Sequence, residues 1–119
     1  MKQEEKNLLL KDLCARLPYG VKVESVFINP DTKEHKSCGI EVFNATSLLM
    51  IRDGLGEFKP YLFPLSSMTE EQGKEWRYTL SSDGNITYET VDWCNKNHFD
   101  YRGLIPMGLA INATNLNIY

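Results

Sequence analysis

The stretch VKVESVFINPDTKEHKSCGIEVF, residues 21–43, determines the fold class of this chain. Its first third alternates apolar residues with Lys22 and Glu24, which is typical of a strand with one solvated face. Asn29-Pro30-Asp31 supplies turn chemistry, and residues 38–43 alternate again to give a second strand. Because strands that follow each other through a tight connection usually pair, the stretch predicts antiparallel neighbours.

Further short strands are predicted downstream of this stretch. Residues 48–51 form an apolar run that predicts a third strand, and residues 56–59 predict a short edge strand. Pro60 and Pro64 bracket residues 61–63, which argues against a central strand there because proline cannot donate to a ladder. The sequence therefore predicts an antiparallel meander of three to four strands, with a small partial barrel as a variant.

Three helices flank the predicted strands. The first is expected from Gln3 to Leu17, where leucine recurs every four residues. The second is expected from Thr69 to Leu80, because Thr69 and Gln72 form a capping box. A third is expected from Thr87 or Tyr88 to Asn97, followed by an irregular segment. The prediction is one α+β domain over residues 1–119.

Composition excludes several classes of function. The chain has 119 residues, a formal charge of −3 and a sequence pI of about 5.4, and its lysines and arginines are scattered among acids. Nucleic-acid binding needs a basic stripe, which this pattern lacks. The first residues do not resemble a secretory signal, and the odd count of three cysteines favours reduced thiols over a disulfide framework. We therefore expect a cytoplasmic protein that does not enter a membrane.

Two close pairs of metal-type ligands occur in the chain. His35 with Cys38 and Cys94 with His98 together supply four ligands that zinc accepts. Neither pair has the recurrent spacing of structural zinc sites, and Cys94 continues an apolar helical stripe. Free cysteine usually behaves as a small buried hydrophobe. We therefore predict no metal and no cofactor.

Signs of catalysis are weak. A nucleophile needs an adjacent base that a third group orients, and His98 with Asp100 are the available base and orienter. His98 and Asp100 are two residues apart and need an unusual turn to face each other. The candidate nucleophiles Cys14 and Cys94 lie on the apolar faces of predicted helices, where they are expected to be buried in the core. No phosphate-binding glycine loop and no nucleophile elbow occurs. The chain is predicted not to be an enzyme.

Two aromatic segments remain as candidate interaction surfaces. Residues 97–106 place aromatics among a histidine, an aspartate and an arginine, and residues 58–65 combine three aromatics with two prolines. Each segment can brace the fold, which is the usual use of aromatics in a small domain, or can bind a partner, since Tyr and Arg are favoured at interfaces. The candidate partner-binding residues are Tyr61, Phe63, His98, Asp100, Tyr101 and Arg102.

Three blocks carry a resemblance to a known group of proteins: residues 8–21, 59–72 and 97–105. They resemble small uncharacterised proteins of Bacteroidetes genomes that are associated with prophages or other mobile elements. The resemblance implies a bacterial cytosolic setting and an accessory role on a mobile element, and it assigns no catalytic residue.

The leading functional hypothesis is a non-enzymatic accessory domain that binds another protein. The alternative is a small nucleic-acid-associated module that stacks bases on exposed aromatic side chains. The scattered basic residues favour the first hypothesis.

Overall fold

The computed structural model describes residues 2–119 and has the predicted α+β architecture. Four α-helices accompany a five-stranded sheet, and short 3-10 turns follow α1 and β3. In chain order the elements are α1 Gln3–Arg16, β1 Lys22–Ile28, β2 His35–Val42, α2 Ala45–Arg52, β3 Gly56–Pro64, α3 Glu70–Thr79, α4 Tyr88–Lys96, β4 Phe99–Asp100 and β5 Ile111–Asn112.

The sheet is mixed, which differs from the predicted antiparallel meander. β1 lies between β2 and β3 and is antiparallel to both. β3 is parallel to the two short C-terminal strands, β4 and β5. Two-residue strands leave almost no periodic pattern in a sequence, so the parallel pairs were missed.

The predicted third strand at residues 48–51 is wrong, because this segment belongs to helix α2. The side-chain oxygen of Asn44 caps the helix by accepting a hydrogen bond from the Ser47 backbone amide at 3.2 Å. In return, the Ser47 hydroxyl accepts one from the Asn44 backbone amide, also at 3.2 Å. A short apolar run does not distinguish a helix from a strand. The cap distinguishes them here.

The predicted strand at residues 56–59 is present, but it continues through residues 61–63, so the exclusion of those residues from a central strand is wrong. Both segments belong to β3, a continuous nine-residue strand with a neighbour on each edge. Residues 58, 60 and 62 are buried on one face.

Backbone direction explains how a central strand accommodates Pro60. The Leu55 carbonyl accepts from the Ile28 amide at 2.8 Å, so odd-numbered residues of β3 direct their backbone groups toward β1. The nitrogen of Pro60 therefore faces the opposite edge, where pairing with β5 begins only at Tyr61. The missing N–H costs no ladder hydrogen bond.

The predicted helices α1, α3 and α4 are confirmed. The capping box at α3 forms as expected, with the Gln72 amide donating to the Thr69 hydroxyl at 3.1 Å and the Thr69 amide donating to the Gln72 side chain at 2.9 Å. Among residues 2–119, no helix combines the length and the apolar character needed to cross a membrane.

One hydrophobic cluster joins α1, the sheet and the segment that follows α4, residues 97–119, called the C-terminal segment below. Phe43 and Phe58 pack edge to face within it, with ring centroids 5.7 Å apart. The other buried members are Leu9, Leu13, Val21, Val23, Leu62, Leu104, Leu109 and Ala110. The C-terminal segment is therefore part of the core rather than an appendage.

Candidate functional site

The C-terminal segment surrounds a buried ion pair within α1. Asp12 and Arg16 are one helical turn apart, and Arg16 Nε donates to Asp12 Oδ2 at 2.9 Å. Neither side chain is exposed to solvent. Because removing two charges from water is costly, such a pair persists only where its remaining polar atoms are also satisfied.

Arg16 satisfies its other donors on backbone carbonyls. Its Nη2 donates to the Phe99 carbonyl at 2.6 Å, and its Nη1 approaches the Cys94 carbonyl at 3.4 Å. The second contact lies near the C-terminal end of α4, where helix carbonyls lack intrahelical partners and favour a cation. Arg16 thereby joins α1, α4 and β4.

A second arginine completes the charge network. Arg102 Nε donates to Asp12 Oδ1 at 3.1 Å, and Arg102 Nη2 donates to the Tyr101 hydroxyl at 2.9 Å. The guanidinium carbons of Arg16 and Arg102 lie 5.3 Å and 4.9 Å from the Tyr101 ring centroid, within cation–π range. The two guanidinium groups therefore contact the same carboxylate and the same aromatic ring.

Asp100 has a separate role in the turn after β4. Its Oδ1 accepts from the Leu104 amide and its Oδ2 from the Ile105 amide, each at 2.9 Å. The turn contains Gly103 at φ +74°, a conformation that favours glycine. Asp100 is only 6% exposed. Its carboxylate therefore braces the chain and does not orient His98 as a catalytic base.

Tyr119 occupies a gap in the sheet. β3 pairs with β1 as far as Pro60 and with β4 from Phe63 onward, and the Phe63 amide donates to the His98 carbonyl at 2.8 Å. Since Phe63 is odd-numbered, β1 and β4 meet the same edge of β3 and leave a space between them.

The hydroxyl of Tyr119 bridges this space. It accepts from the Lys22 amide at 2.9 Å and donates to the Tyr61 carbonyl at 2.8 Å. Burial raises the pKa of Tyr119 to about 12. The hydroxyl therefore stays protonated, and it supplies the hydrogen bonds that a continuous β1–β3 ladder would have made.

His98 stacks on the Tyr119 ring and has an unusual environment. The two ring centroids are 3.8 Å apart with planes inclined by 11°. His98 has a positive φ of 63°, and its Nδ1 is buried with no hydrogen-bond partner among the described residues. Burial, together with the charges of Arg16 and Lys22, lowers the pKa of His98 to about 4. The imidazole is therefore neutral at physiological pH.

The six predicted partner-binding residues all contribute to intramolecular contacts. Tyr61 and Asp100 are buried, so the prediction that their side chains form a surface does not fit the structure. The other four, Phe63, His98, Tyr101 and Arg102, are half-buried. The bracing role proposed from the sequence for this segment is the one that these contacts support.

The four metal-type ligands do not form a centre in the described part of the chain. Among residues 2–119, no group of three or more His, Cys, Asp or Glu side chains is arranged to hold a metal ion. His35 is exposed and lies 3.6 Å from a carboxylate oxygen of Glu57, whereas Cys94 is 1% exposed. Cys14, which was assigned to the core, is exposed.

Strand β2 overlaps the second strand predicted at residues 38–43, but its exposure was not predicted, and it is the most exposed element of the fold. All residues from Pro30 to Val42 are exposed, including Ile40 at 54% and Val42 at 48%. One edge of β2 pairs with β1, and among residues 2–119 no strand pairs with its other edge. The available signal was a glycine inside a strand pattern, Gly39, which marks a bulge or a close backbone approach.

A β-bulge interrupts β2 at this glycine. Ser25 on β1 pairs with Gly39 and Val26 pairs with Ser37, so Cys38 is an extra residue. Gly39 has φ +81°. Bulges re-aim the side chains that follow them and are common at sheet edges.

A groove also lies between α1, α2 and the sheet. Its volume is about 360 Å³, and its apolar lining includes Leu10, Leu13, Val26 and Ile51. The lining also carries both signs of charge, on Lys6, Glu24, Glu57 and Lys59. Nothing among these residues selects one class of ligand.

Comparison with protein-family models, with curated proteins and with solved structures finds no significant match to this chain. The resemblance of residues 8–21, 59–72 and 97–105 to Bacteroidetes proteins therefore stays a prediction.

Proposed function

We propose that this chain is a non-enzymatic accessory module that binds another protein chain by accepting an extended segment at the outer edge of β2. The observation that carries the proposal is the eight-residue strand with every residue exposed and one edge unpaired among residues 2–119. An exposed edge presents a row of unpaired N–H and C=O groups, and an added strand binds through these groups.

The chemistry of the buried groups supports a role without catalysis. Burial raises the pKa of the Cys94 thiol and lowers the pKa of His98 to about 4. A catalytic thiol needs the opposite shift and a base that titrates near neutral pH. Both groups are therefore poorly suited to nucleophilic catalysis.

The alternative of a nucleic-acid module has one favourable observation. Tyr78 and Tyr88 are 88% and 96% exposed, and exposed aromatic rings can stack on bases. Stacking sites usually lie in positively charged grooves, whereas both residues lie on helices whose first turns are acidic and the chain carries a net charge of −3. Protein binding is the better supported function.

The setting that we propose is the cytoplasm, in association with a mobile element. The resemblance to Bacteroidetes proteins adds a mobile-element context to the proposal, and three free cysteines fit a cytoplasmic location.

The proposal is tested by affinity purification from the native host with two matched variants as bait. Ile40→Pro removes an N–H that points to the outer edge, and Ile40→Thr keeps it. The expected result is that wild type and Ile40→Thr retain the same protein at similar yield while Ile40→Pro loses it. Retention by Ile40→Pro, or recovery of nucleic acid alone, would contradict the proposal.

A further inference from the structure

The bulge in β2 restricts which strand can pair with the outer edge. Four residues of β2, namely His35, Ser37, Ile40 and Val42, have as partners Ile28, Val26, Glu24 and Lys22, which are alternate residues of β1. Alternate residues of a strand share one face of the sheet. The four β2 residues therefore share a face, although the bulge separates them into an odd-numbered and an even-numbered pair.

The same four residues direct their backbone N–H and C=O groups away from β1, toward the edge of β2 that no strand covers among residues 2–119. The Phe43 amide donates to the Val21 carbonyl at 2.9 Å, and the Asn29 amide donates to the Glu34 carbonyl at 2.9 Å. Odd-numbered residues of β1 thus bond to β2, and their partners in β2 point inward. The residues of β2 that pair with even-numbered β1 residues are the ones whose N–H and C=O groups remain free.

We propose that the strand added at this edge is β2 of a second copy of the chain, antiparallel to the first and related to it by a two-fold axis. This inference rests on the proposed strand addition. In a two-fold pair, residues that face each other must lie on the same face of the combined sheet. Placing Ser37 opposite Ile40 of the second copy and His35 opposite Val42 of the second copy meets this condition over the whole strand. A shift by one residue violates it.

Charge complementarity supports the same register. Lys36 and Glu41 occupy the other face of β2, and in this register Lys36 lies opposite Glu41 of the second copy. The two-fold axis repeats the contact, so each dimer contains two opposite-charge pairs directly across from one another. Lysines and bulges normally discourage indiscriminate edge pairing, and here they favour one register.

The centre of the dimer is sterically open. The two bulges meet at the axis, with Cys38 opposite Gly39 of the second copy. A side chain added at Gly39 would find no heavy atom within 4 Å in the single chain. The face of the sheet at Gly39 is therefore unobstructed in the single chain, and Gly39 contributes no side chain of its own at the axis.

Charge reversal gives a direct test by analytical ultracentrifugation and light scattering. Wild type is expected to dimerise. Lys36→Glu and Glu41→Lys should each weaken dimerisation by roughly ten- to a hundred-fold, since each change places like charges at two pairs. An equimolar mixture of the two variants should form a heterodimer, and the double variant K36E/E41K should regain the wild-type affinity. Lys11→Glu, an exposed change of equal charge on α1, serves as the control.

The outcomes separate this inference from the proposed function. A wild-type chain that stays monomeric at high micromolar concentration, or a dimer that both single variants leave intact, overturns the second-copy assignment. If the monomer still captures a different protein that Ile40→Pro loses, strand addition at β2 stands with another partner. If a dimer persists in Ile40→Pro, the β2 edge is not the dimer interface and the second-copy assignment fails; strand addition fails as well only if Ile40→Pro also retains the protein captured by wild type.

Discussion

Substitution of Asp12 by asparagine should strongly destabilise the fold. Both Asp12 oxygens accept from guanidinium groups, Oδ2 from Arg16 at 2.9 Å and Oδ1 from Arg102 at 3.1 Å. An asparagine amide would direct its NH₂ group at one of the two arginines whichever way it turned. It would also leave two cations without their shared anion.

The size of this effect follows from burial. Breaking a fully buried ion pair by removing one partner costs about 3–5 kcal/mol, a large fraction of the ~5–15 kcal/mol that stabilises a typical domain. For a chain of this length, that loss corresponds to a fall in Tm of roughly 12–20 °C. Urea unfolding followed by tryptophan fluorescence and circular dichroism measures the free energy directly.

The exposed pair of Arg52 and Asp53 provides the matched control. Its N–O distance is also 2.9 Å, but its side chains are 69% and 48% exposed. Asp53→Asn should therefore have little effect on the free energy of unfolding, because an exposed ion pair contributes little to stability. If Asp12→Asn costs no more than Asp53→Asn, the Asp12 network does not stabilise the fold and the structural assignment of the C-terminal segment is wrong.

Three further predictions concern His98, Tyr119 and a pair of glycines. The pKa of His98 is lowered from 6.5 to about 4 in the folded chain. Between these two pH values the unfolded chain therefore binds a proton at His98 that the folded chain does not bind. The free energy of unfolding should fall as pH drops from 6.5 toward 4, and His98→Asn, which suits the positive φ, should flatten this slope in urea titrations. Tyr119→Phe should cost about 0.5–1.5 kcal/mol in the same assay, because it removes the hydroxyl that bonds to the Lys22 amide and the Tyr61 carbonyl, and it should remove an ionisation near pH 12 in ultraviolet titration. Gly56→Ala should lose about 1–3 kcal/mol, since its Cβ would lie 3.0 Å from the Phe58 ring. By contrast, Gly73→Ala, in the open interior of α3, should gain about 0.5–1 kcal/mol. A thermal scan that ranks these two variants in the opposite order would contradict the packing described here.

The predictable part of the fold is the part with local signals. Leucine spacing in α1 and the Thr69 capping box identify helices because neighbouring residues along the chain determine them. Residues 48–51 lacked such a pattern, and their helix depended on a cap at Asn44 that the apolar run obscured. Pro60 was misjudged for a different reason, since the direction of one backbone nitrogen depends on strand pairing and not on composition.

The candidate site was only partly accessible from the sequence. The cluster at residues 97–106 was identified, but its anion, Asp12, lies 90 residues from Arg102 along the chain. No spacing rule connects such positions. The exposure of β2 was equally hidden, because Ile40 and Val42 have the composition of a buried strand.

The charge network also has a consequence for the order in which the molecule assembles. The contacts of Arg16 with the Cys94 and Phe99 carbonyls span 78 and 83 residues. Closing such long loops costs more chain entropy than forming a hairpin between adjacent strands, so these contacts form late. During synthesis on the ribosome, which proceeds from the amino end, the β1–β2 hairpin emerges well before the carbonyls that satisfy Arg16. The nascent chain therefore presents an open strand edge to its surroundings while its interior is still incomplete.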